Sequence, residues 1–287
     1  MRTIKTHSGI GDCLWILQKL VNTGERFNFR VADGHPRRTK PLLDLLPNIA
    51  ASCVYDNSFH NKEIRNTNAG KGFMKWEEIT GNEFFLECNT WLELGNRIEE
   101  FLPDLPISYR IEYSTTEKDK EIAKNLISGS RFIGIYATSA GYPDCWYQDD
   151  WMNFLTLLKN EYDPTFVFIG RYDDNDFVSP DSQYDRLTRG LCRNAERLGW
   201  KFVNAMAGEL GTTIEVLKRL DYFIGYQSGL SVINETLGKD GMMLYRPADR
   251  GIMQTFAEHS RIDKGFLERL FFNPEDIFQQ LKKFGSL

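Results

Sequence analysis

Asp12 ends the run Gly9-Ile10-Gly11-Asp12, which follows an apolar stretch and precedes a helical pattern. The two glycines permit tight backbone geometry and close approach of a ligand. An acid at the start of a helix can cap its first N–H groups. It can equally act as a general base toward an acceptor hydroxyl. The spacing is not the dinucleotide-binding fingerprint, because its third glycine position is Leu14. A second glycine-rich turn, Gly225-Tyr226-Gln227-Ser228-Gly229, lies near the other end of the chain. A helix starting there offers unpaired N–H groups and positive potential to a phosphate. A glycine kept for tight packing explains the same residues. The run 208–213, with Gly211 and Thr212, opens another helix in the same way. Ala137-Thr138-Ser139 follows a strand pattern, and its hydroxyls and N–H groups can hold a diphosphate. An ordinary Ser/Thr-rich loop reads identically.

Other chemistry-bearing residues point less far. Asp173-Asp174-Asn175-Asp176 contains an Asp-x-Asp, the pair with which metal-dependent sugar transferases hold a divalent ion. A solvated acidic loop accounts for it as well, and no metal site is expected. His7, His35, His60 and His259 show no ligand spacing, although His7 lies close to the first glycine turn. The five cysteines are scattered and contain no Cys-x-x-Cys, which argues against zinc and against a disulfide framework. Ser228 is not in Gly-x-Ser-x-Gly, so a hydrolase nucleophile elbow is not expected.

The elements that must position these residues alternate. Strand patterns at 3–6, 27–31 and 51–55 enclose helical patterns at 12–22 and 41–46, the latter stopped by Pro47. Residues 57–92 mix Phe59, Phe73, Trp76, Phe84, Phe85 and Trp91 with Lys62, Arg65, Lys71 and Lys75, and no period dominates. They read as a long loop region with short elements over a cleft. Helical patterns follow at 91–101 and 116–127, the second with Thr115 or Thr116 as N-cap. Ser128-Gly129-Ser130 marks a boundary between domains 1–128 and 129–287. The second domain repeats the alternation, with strands at 132–136, 165–169, 201–204, 222–225 and 242–245. Its helices fall at 150–160, 185–198, 212–220, 228–237 and 274–284, the last with Asn273 as N-cap. The class is α/β with two Rossmann-like parallel-sheet domains facing across a cleft, and a C-terminal helix returning toward the first.

At this point the series resembles the heptosyltransferase family of GT-B glycosyltransferases, family 9-like. The resemblance rests on Lys5-Thr6-His7-Ser8-Gly9-Ile10-Gly11-Asp12, on Ala137-Thr138-Ser139 with Trp146 and Trp151, on 208–217, and on 226–231. These match in order and rough spacing over most of the chain. The resemblance implies inverting, metal-independent transfer from a nucleotide-diphospho-sugar, with Asp12 as base. Thr138, Ser139, Gly211, Thr212, Gln227, Ser228 and Gly229 are then the donor contacts. The acceptor contacts are His7, Gly9, Gly11, Arg37, Arg38, Lys62 and Trp76. The chain departs from the family at Gln227 and Val232, where Asp and His are usual, and near Asp144 and Cys145, where a lysine is usual. These departures are compatible with a different sugar and a different acceptor.

Charge bears on the acceptor. Residues 1–76 hold 12 Lys and Arg against 6 Asp and Glu, while the remainder holds 23 against 34. A basic first portion suits an anionic partner, a surface glycan of lipopolysaccharide type or DNA. In the DNA reading, as in phage enzymes that glycosylate hydroxymethylated pyrimidines, the basic and aromatic residues of 57–91 hold phosphates and an extruded base. Lid and core packing is the plainer role for those aromatics. A non-catalytic nucleotide-sugar-binding protein and an epimerase of the same fold are the other classes compatible with the chain. No cofactor is expected beyond the nucleotide-sugar co-substrate. No apolar run approaches the ~20 residues of a membrane span, and the start lacks a signal-peptide core. The expected setting is cytoplasmic, without stable membrane insertion.

Overall fold

The computed structural model describes residues 2–7, 10–21, 23–32, 36–52, 76–80, 83–86, 106, 108, 110–129, 131–137, 146–170, 183–206, 208–226, 228–245, 266–270, 273–284 and 287. The chain divides into two compact units, Met1–Ser114 and Thr115–Leu287.

In the first unit β1 (Arg2–His7), α1 (Ile10–Leu20), β2 (Phe27–Ala32), α2 (Pro36–Leu43) and β3 (Ile49–Ser52) alternate as the sequence predicts. The hairpin β4 (Trp76–Thr80) and β5 (Glu83–Leu86) completes a sheet of order β3-β2-β1-β5-β4. β1 is parallel to both β2 and β5, with Ile4 opposite Phe29 on one side and Phe84 on the other. Only β4 runs antiparallel. Cys13, Leu14, Leu17 and Leu20 recur at helical spacing along α1 and are fully buried with Leu42 and Leu43. The carbonyl of Leu20, at the end of α1, accepts bonds from Thr23 Oγ1 at 3.0 Å and Asn48 Nδ2 at 2.9 Å, which satisfies a group the helix leaves open.

The second unit starts with α3 (Glu117–Leu126). It continues through β6 (Phe132–Tyr136), α4 (Gln148–Tyr162), β7 (Thr165–Ile169), α5 (Gln183–Arg197), β8 (Phe202–Ala205), α6 (Leu210–Arg219), β9 (Tyr222–Tyr226), α7 (Gly229–Thr236), β10 (Gly241–Tyr245), β11 (Phe266–Leu270) and α8 (Pro274–Phe284). The sheet is wholly parallel, in the order β11-β10-β9-β6-β7-β8. Its inner strands are near-continuous apolar runs, FIGIY, TFVFI, YFIGY and GMMLY, as a parallel sheet covered on both faces requires. α8 packs on α4 within this unit. Tyr162 and Phe278 meet edge to face at 6.5 Å, and Lys282 pairs with Glu161 at 2.8 Å.

Four expectations change. The division falls at 114/115 rather than 128/129, because α3 lies along α6 and belongs to the second unit. The region 57–92 is not loop throughout. Residues 83–86 pair with β1 and 76–80 flank them, so a hairpin supplies two strands that no period announced. α2 begins at Pro36, a residue suited to a first helical position, and runs through Pro41. Finally, β11 follows β10, which the sequence reading took as the last strand. The helical pattern at 91–101 lies outside the described residues.

Candidate functional site

Numbered from β6, the second sheet reads 6-5-4-1-2-3, the doubly wound order. The chain leaves β6 toward β7 on one side and leaves β9 toward β10 on the other, so the winding reverses between them. Open α/β sheets bind ligands outside the carboxyl ends of the strands at such a switch point. Tyr136 is opposite Gly225 in the register, so the two strands end side by side. Ala137-Thr138-Ser139 follows the first end, and Gln227-Ser228-Gly229 follows the second. The topology thus brings together two strand ends that are far apart in sequence. Thr138, Ser139 and Gln227 themselves lie outside the described residues.

Ser228 is the N-cap of α7, and its Oγ accepts the Ser231 N–H at 3.3 Å. Ser231 is fully buried, and its hydroxyl donates to the Tyr226 carbonyl at 2.5 Å. A carbonyl only accepts, so the single Ser231 proton is spent there. In the contact of 3.2 Å between the two hydroxyls, Ser228 is therefore the donor. This has a consequence for ligand binding. Ser228 has no proton left for a phosphate oxygen and offers only a lone pair. What the start of α7 offers an anion is its backbone N–H groups and the helix dipole.

The strand end beneath Ser228 is fixed from below. The buried Tyr226 Oη accepts the Trp146 N–H at 2.9 Å. Trp151 meets the Tyr226 ring edge to face at 5.5 Å and Trp146 at 5.1 Å. The chain that leaves β6 at Ala137 is thus pinned where it returns at Trp146, against the same residue that precedes Gln227.

Gly211 and Thr212 go elsewhere. Thr212 Oγ1 donates to Asp119 Oδ1 at 2.8 Å in buried surroundings. A Cβ on Gly211 would lie 2.7 Å from Asp119 Oδ2. Asp119 also accepts from the Thr116 hydroxyl at 2.6 Å and the Thr116 N–H at 3.0 Å, closing a capping box at the start of α3. Burial pushes the Asp119 carboxyl up, but these hydrogen bonds and the Lys118 charge outweigh it and leave its pKa below the ordinary value. The Thr212 hydroxyl is thus engaged at a joint between two helices, and glycine at 211 permits their close approach.

No family model matches the sequence, and no curated protein matches it. Solved structures do match. Escherichia coli heptosyltransferase WaaC, solved with ADP, superposes with a TM-score of 0.63 at 14% identity, over 99% of each chain. The fold is that of the heptosyltransferases. A family 9 glycosyl transferase from Veillonella parvula gives 0.55 at 12% identity, over 98% of this chain and 89% of its own. The UDP-GlcNAc 2-epimerase of Methanocaldococcus jannaschii gives 0.52 at 10%, over 100% and 93%.

Within the heptosyltransferase fold, the first-unit candidates gather at the carboxyl end of β1. His7 is the last residue of β1, opposite Ala32, and Gly11 and Asp12 are the second and third residues of α1. Asp12 thus occupies the first turn of a helix directly after a central strand. Gly9 and Lys62 lie outside the described residues. Arg37 and Arg38 stand in the first turn of α2, and Trp76 opens the edge strand β4 opposite Leu86. Asp174 and Asp176 lie outside the described residues. The sequence reading missed the structural parts of Ser231, Trp146 and Asp119. Ser231 stood in the quoted 226–231 stretch, but its burial and its carbonyl partner have no sequence signal.

Proposed function

We propose that the protein is an inverting glycosyltransferase. It moves a sugar from a nucleotide-diphospho-sugar to a hydroxyl on an anionic acceptor of surface-glycan type, without a metal. The observation that carries this reading is the end-to-end likeness to a heptosyltransferase solved with ADP. In this reading the nucleotide diphosphate lies at the switch point between β6 and β9, where sheets of this order bind ligands. The N–H groups at the start of α7 neutralise the diphosphate as it leaves, and the segments 137–139 and 227–229 hold the rest of the donor. The acceptor oxygen attacks the anomeric carbon on the face opposite the diphosphate. The bond to the diphosphate oxygen breaks with its electron pair, and Asp12 takes the hydroxyl proton. Arg37, Arg38 and Lys62 serve the acceptor's negative charge.

The test is a turnover screen of nucleotide-sugars by mass spectrometry, run with a lipopolysaccharide core and with hydroxymethylpyrimidine DNA, with and without chelator. Sugar added to the glycan, undiminished by chelator, is the expected result. Sugar added only to DNA moves the acceptor assignment to the 57–91 region and makes the protein a DNA-modifying transferase. Stabilisation by a nucleotide-sugar without transfer to either acceptor favours a binding protein. Strict dependence on Mn²⁺ or Mg²⁺ revives Asp174 and Asp176. The likeness to a UDP-GlcNAc 2-epimerase supports a second reading. Appearance of a C2 epimer of UDP-GlcNAc without any acceptor would select it.

A further inference from the structure

Charge is distributed unevenly over one helix layer of the second unit. α4 packs between α5 and α8, and all three bury their apolar sides in one core. Each follows a parallel strand, so the three run in the same direction. Arg189, Arg193 and Arg197 recur every four residues on α5 and are exposed, a row about 12 Å long at ~1.5 Å per residue. The row lies opposite the buried Leu191 and Ala195. Among the described residues no carboxylate holds Arg193 or Arg197; the Arg197 guanidinium reaches Asn194 Oδ1 at 3.4 Å. Elsewhere in the unit, one lysine on each of α3, α4, α6 and α8 is held by an acid. Leu198, directly after the row, is 48% exposed. The start of α4 shows the opposite character. Tyr147, at its N-cap position, is 76% exposed. Asp149 and Asn153 follow on the exposed ridge, and Asn153 Nδ2 donates to Glu275 Oε1 at 2.6 Å. Asp276 is exposed beside Glu275 in the first turn of α8. One end of the layer thus shows an aromatic ring with acids, and the other an aliphatic side chain with arginines.

We propose that this layer is a self-complementary face that pairs with a second copy of this chain. A two-fold axis lying in the plane of the layer, oblique to the helices, brings the start of α4 in one copy onto the end of α5 in the other. The same rotation makes the reciprocal contact, as an isologous interface requires. Tyr147 then packs on Leu198 of the other copy, while Arg193 and Arg197 meet Asp149 and Glu275. The apolar pair supplies burial. The charges fix the register and exclude the arrangement that sets α5 against α5, where arginines would face arginines. Neither patch meets its complement within its own copy, because the two lie at opposite ends of the layer. An anionic lipid surface or a nucleic acid would be drawn to the arginines but repelled by the acids of the same layer. This inference does not depend on glycosyl transfer.

Sedimentation equilibrium of the full chain tests it. The wild type should dimerise at about 0.1 mM protein, and raising salt from about 0.05 M to about 0.5 M should weaken the dimer about tenfold or more. Arg193→Glu with Arg197→Glu gives an acidic copy, and Asp149→Lys with Glu275→Lys a basic one. Each should be monomeric alone, and the two should form a heterodimer when mixed. Leu198→Ser lies outside the helices and should weaken the wild-type dimer about tenfold. A wild-type monomer at that concentration overturns the proposal, as does a dimer that survives both the charge reversals and Leu198→Ser. Reversed copies that are folded by circular dichroism yet stay apart on mixing overturn it too. Should a reversed copy fail to fold, the salt dependence and Leu198→Ser decide between the same two results. A monomer that sediments with phosphatidylglycerol vesicles would assign the arginines to a lipid surface instead and overturn the proposal.

Discussion

Each unit holds one strand and helix joined at a glycine-rich stretch, β1–α1 in the first and β9–α7 in the second, and the two diverge in how their sheets end. The second is parallel throughout, with apolar runs in its inner strands and a reversal of winding at its centre. The first stops its parallel run at β5 and closes with an antiparallel edge strand of sequence WEEIT. Charges on an exposed edge discourage addition of foreign strands. The contrast separates two tasks. The second unit presents backbone dipoles at a fixed switch point, where its two serines are spent on holding the turn. The first presents an acid, Asp12, in the first turn after its central strand. In the function proposed above, one unit supplies field and the other supplies a proton acceptor.

That division makes predictions of graded size. The largest concerns Asp12. Asp12→Asn should lower turnover by about 10²–10⁴-fold with thermal stability and nucleotide-sugar affinity unchanged. Turnover at the wild-type level would remove the base from the first unit and collapse the contrast. Substitutions at the joint in the second unit should do the reverse. Asp119→Ala leaves the Thr116 and Thr212 hydroxyls without their acceptor and removes a cap, at about 1–3 kcal/mol. Gly211→Ala drives a methyl to 2.7 Å from Asp119 Oδ2, at a cost of about 1–3 kcal/mol. Urea unfolding of both single variants and the double variant should show coupling, because Asp119→Ala removes the carboxylate that the Gly211→Ala methyl would meet. Turnover per folded molecule should stay near wild type; a selective loss of turnover instead would return residues 211 and 212 to the donor site.

A smaller effect separates the joint by pH. For Asp119 and Glu215 burial pushes the carboxyl up, and hydrogen bonds and neighbouring lysines more than offset it, so both folded pKa values lie below their ordinary values of 3.8 and 4.5. A carboxylate depressed on folding stabilises fully above its unfolded pKa, and that stability is lost as pH falls through the folded value. The urea midpoint should therefore be flat above pH ~5 and fall below pH ~4. Thr212→Val should make the fall shallower, and an unchanged acid limb would deny Asp119 its part. The smallest effect is at Cys192, where burial pushes the thiol up to about 11. Iodoacetamide at pH 8, mapped by mass spectrometry, should label it far more slowly than an unfolded control.

Sequence patterns revealed the second unit more fully than the first, for a physical reason. Buried parallel strands are written as apolar runs bounded by turns, and FIGIY, TFVFI and YFIGY could hardly be anything else. The hairpin WEEIT and EFFL carries neither such a run nor a clean alternation, and β5 earns its place only by pairing with β1, far back in the chain. β11, FLERL, was lost in the same way. At the candidate site, Asp12 and Ser228 were legible because glycine turns between strand and helix patterns mark them. The Asp119–Thr212 bond was not, since its partners stand 93 residues apart and each also reads as an ordinary cap or helix-start residue. That pairing also explains why α3 moved the unit boundary.

The phenol of Tyr226 has a final consequence, an optical one. It lies in contact with the Trp151 indole and accepts a bond from the Trp146 backbone, and it stands two residues before Ser228, the N-cap of α7. Excitation absorbed by Tyr226 passes to indoles about one ring-width away, and their emission depends on that packing. A ligand that displaces the turn tugs on the chromophore beneath it. If the nucleotide-sugar binds as proposed at the start of α7, its binding should register as a shift in tryptophan emission.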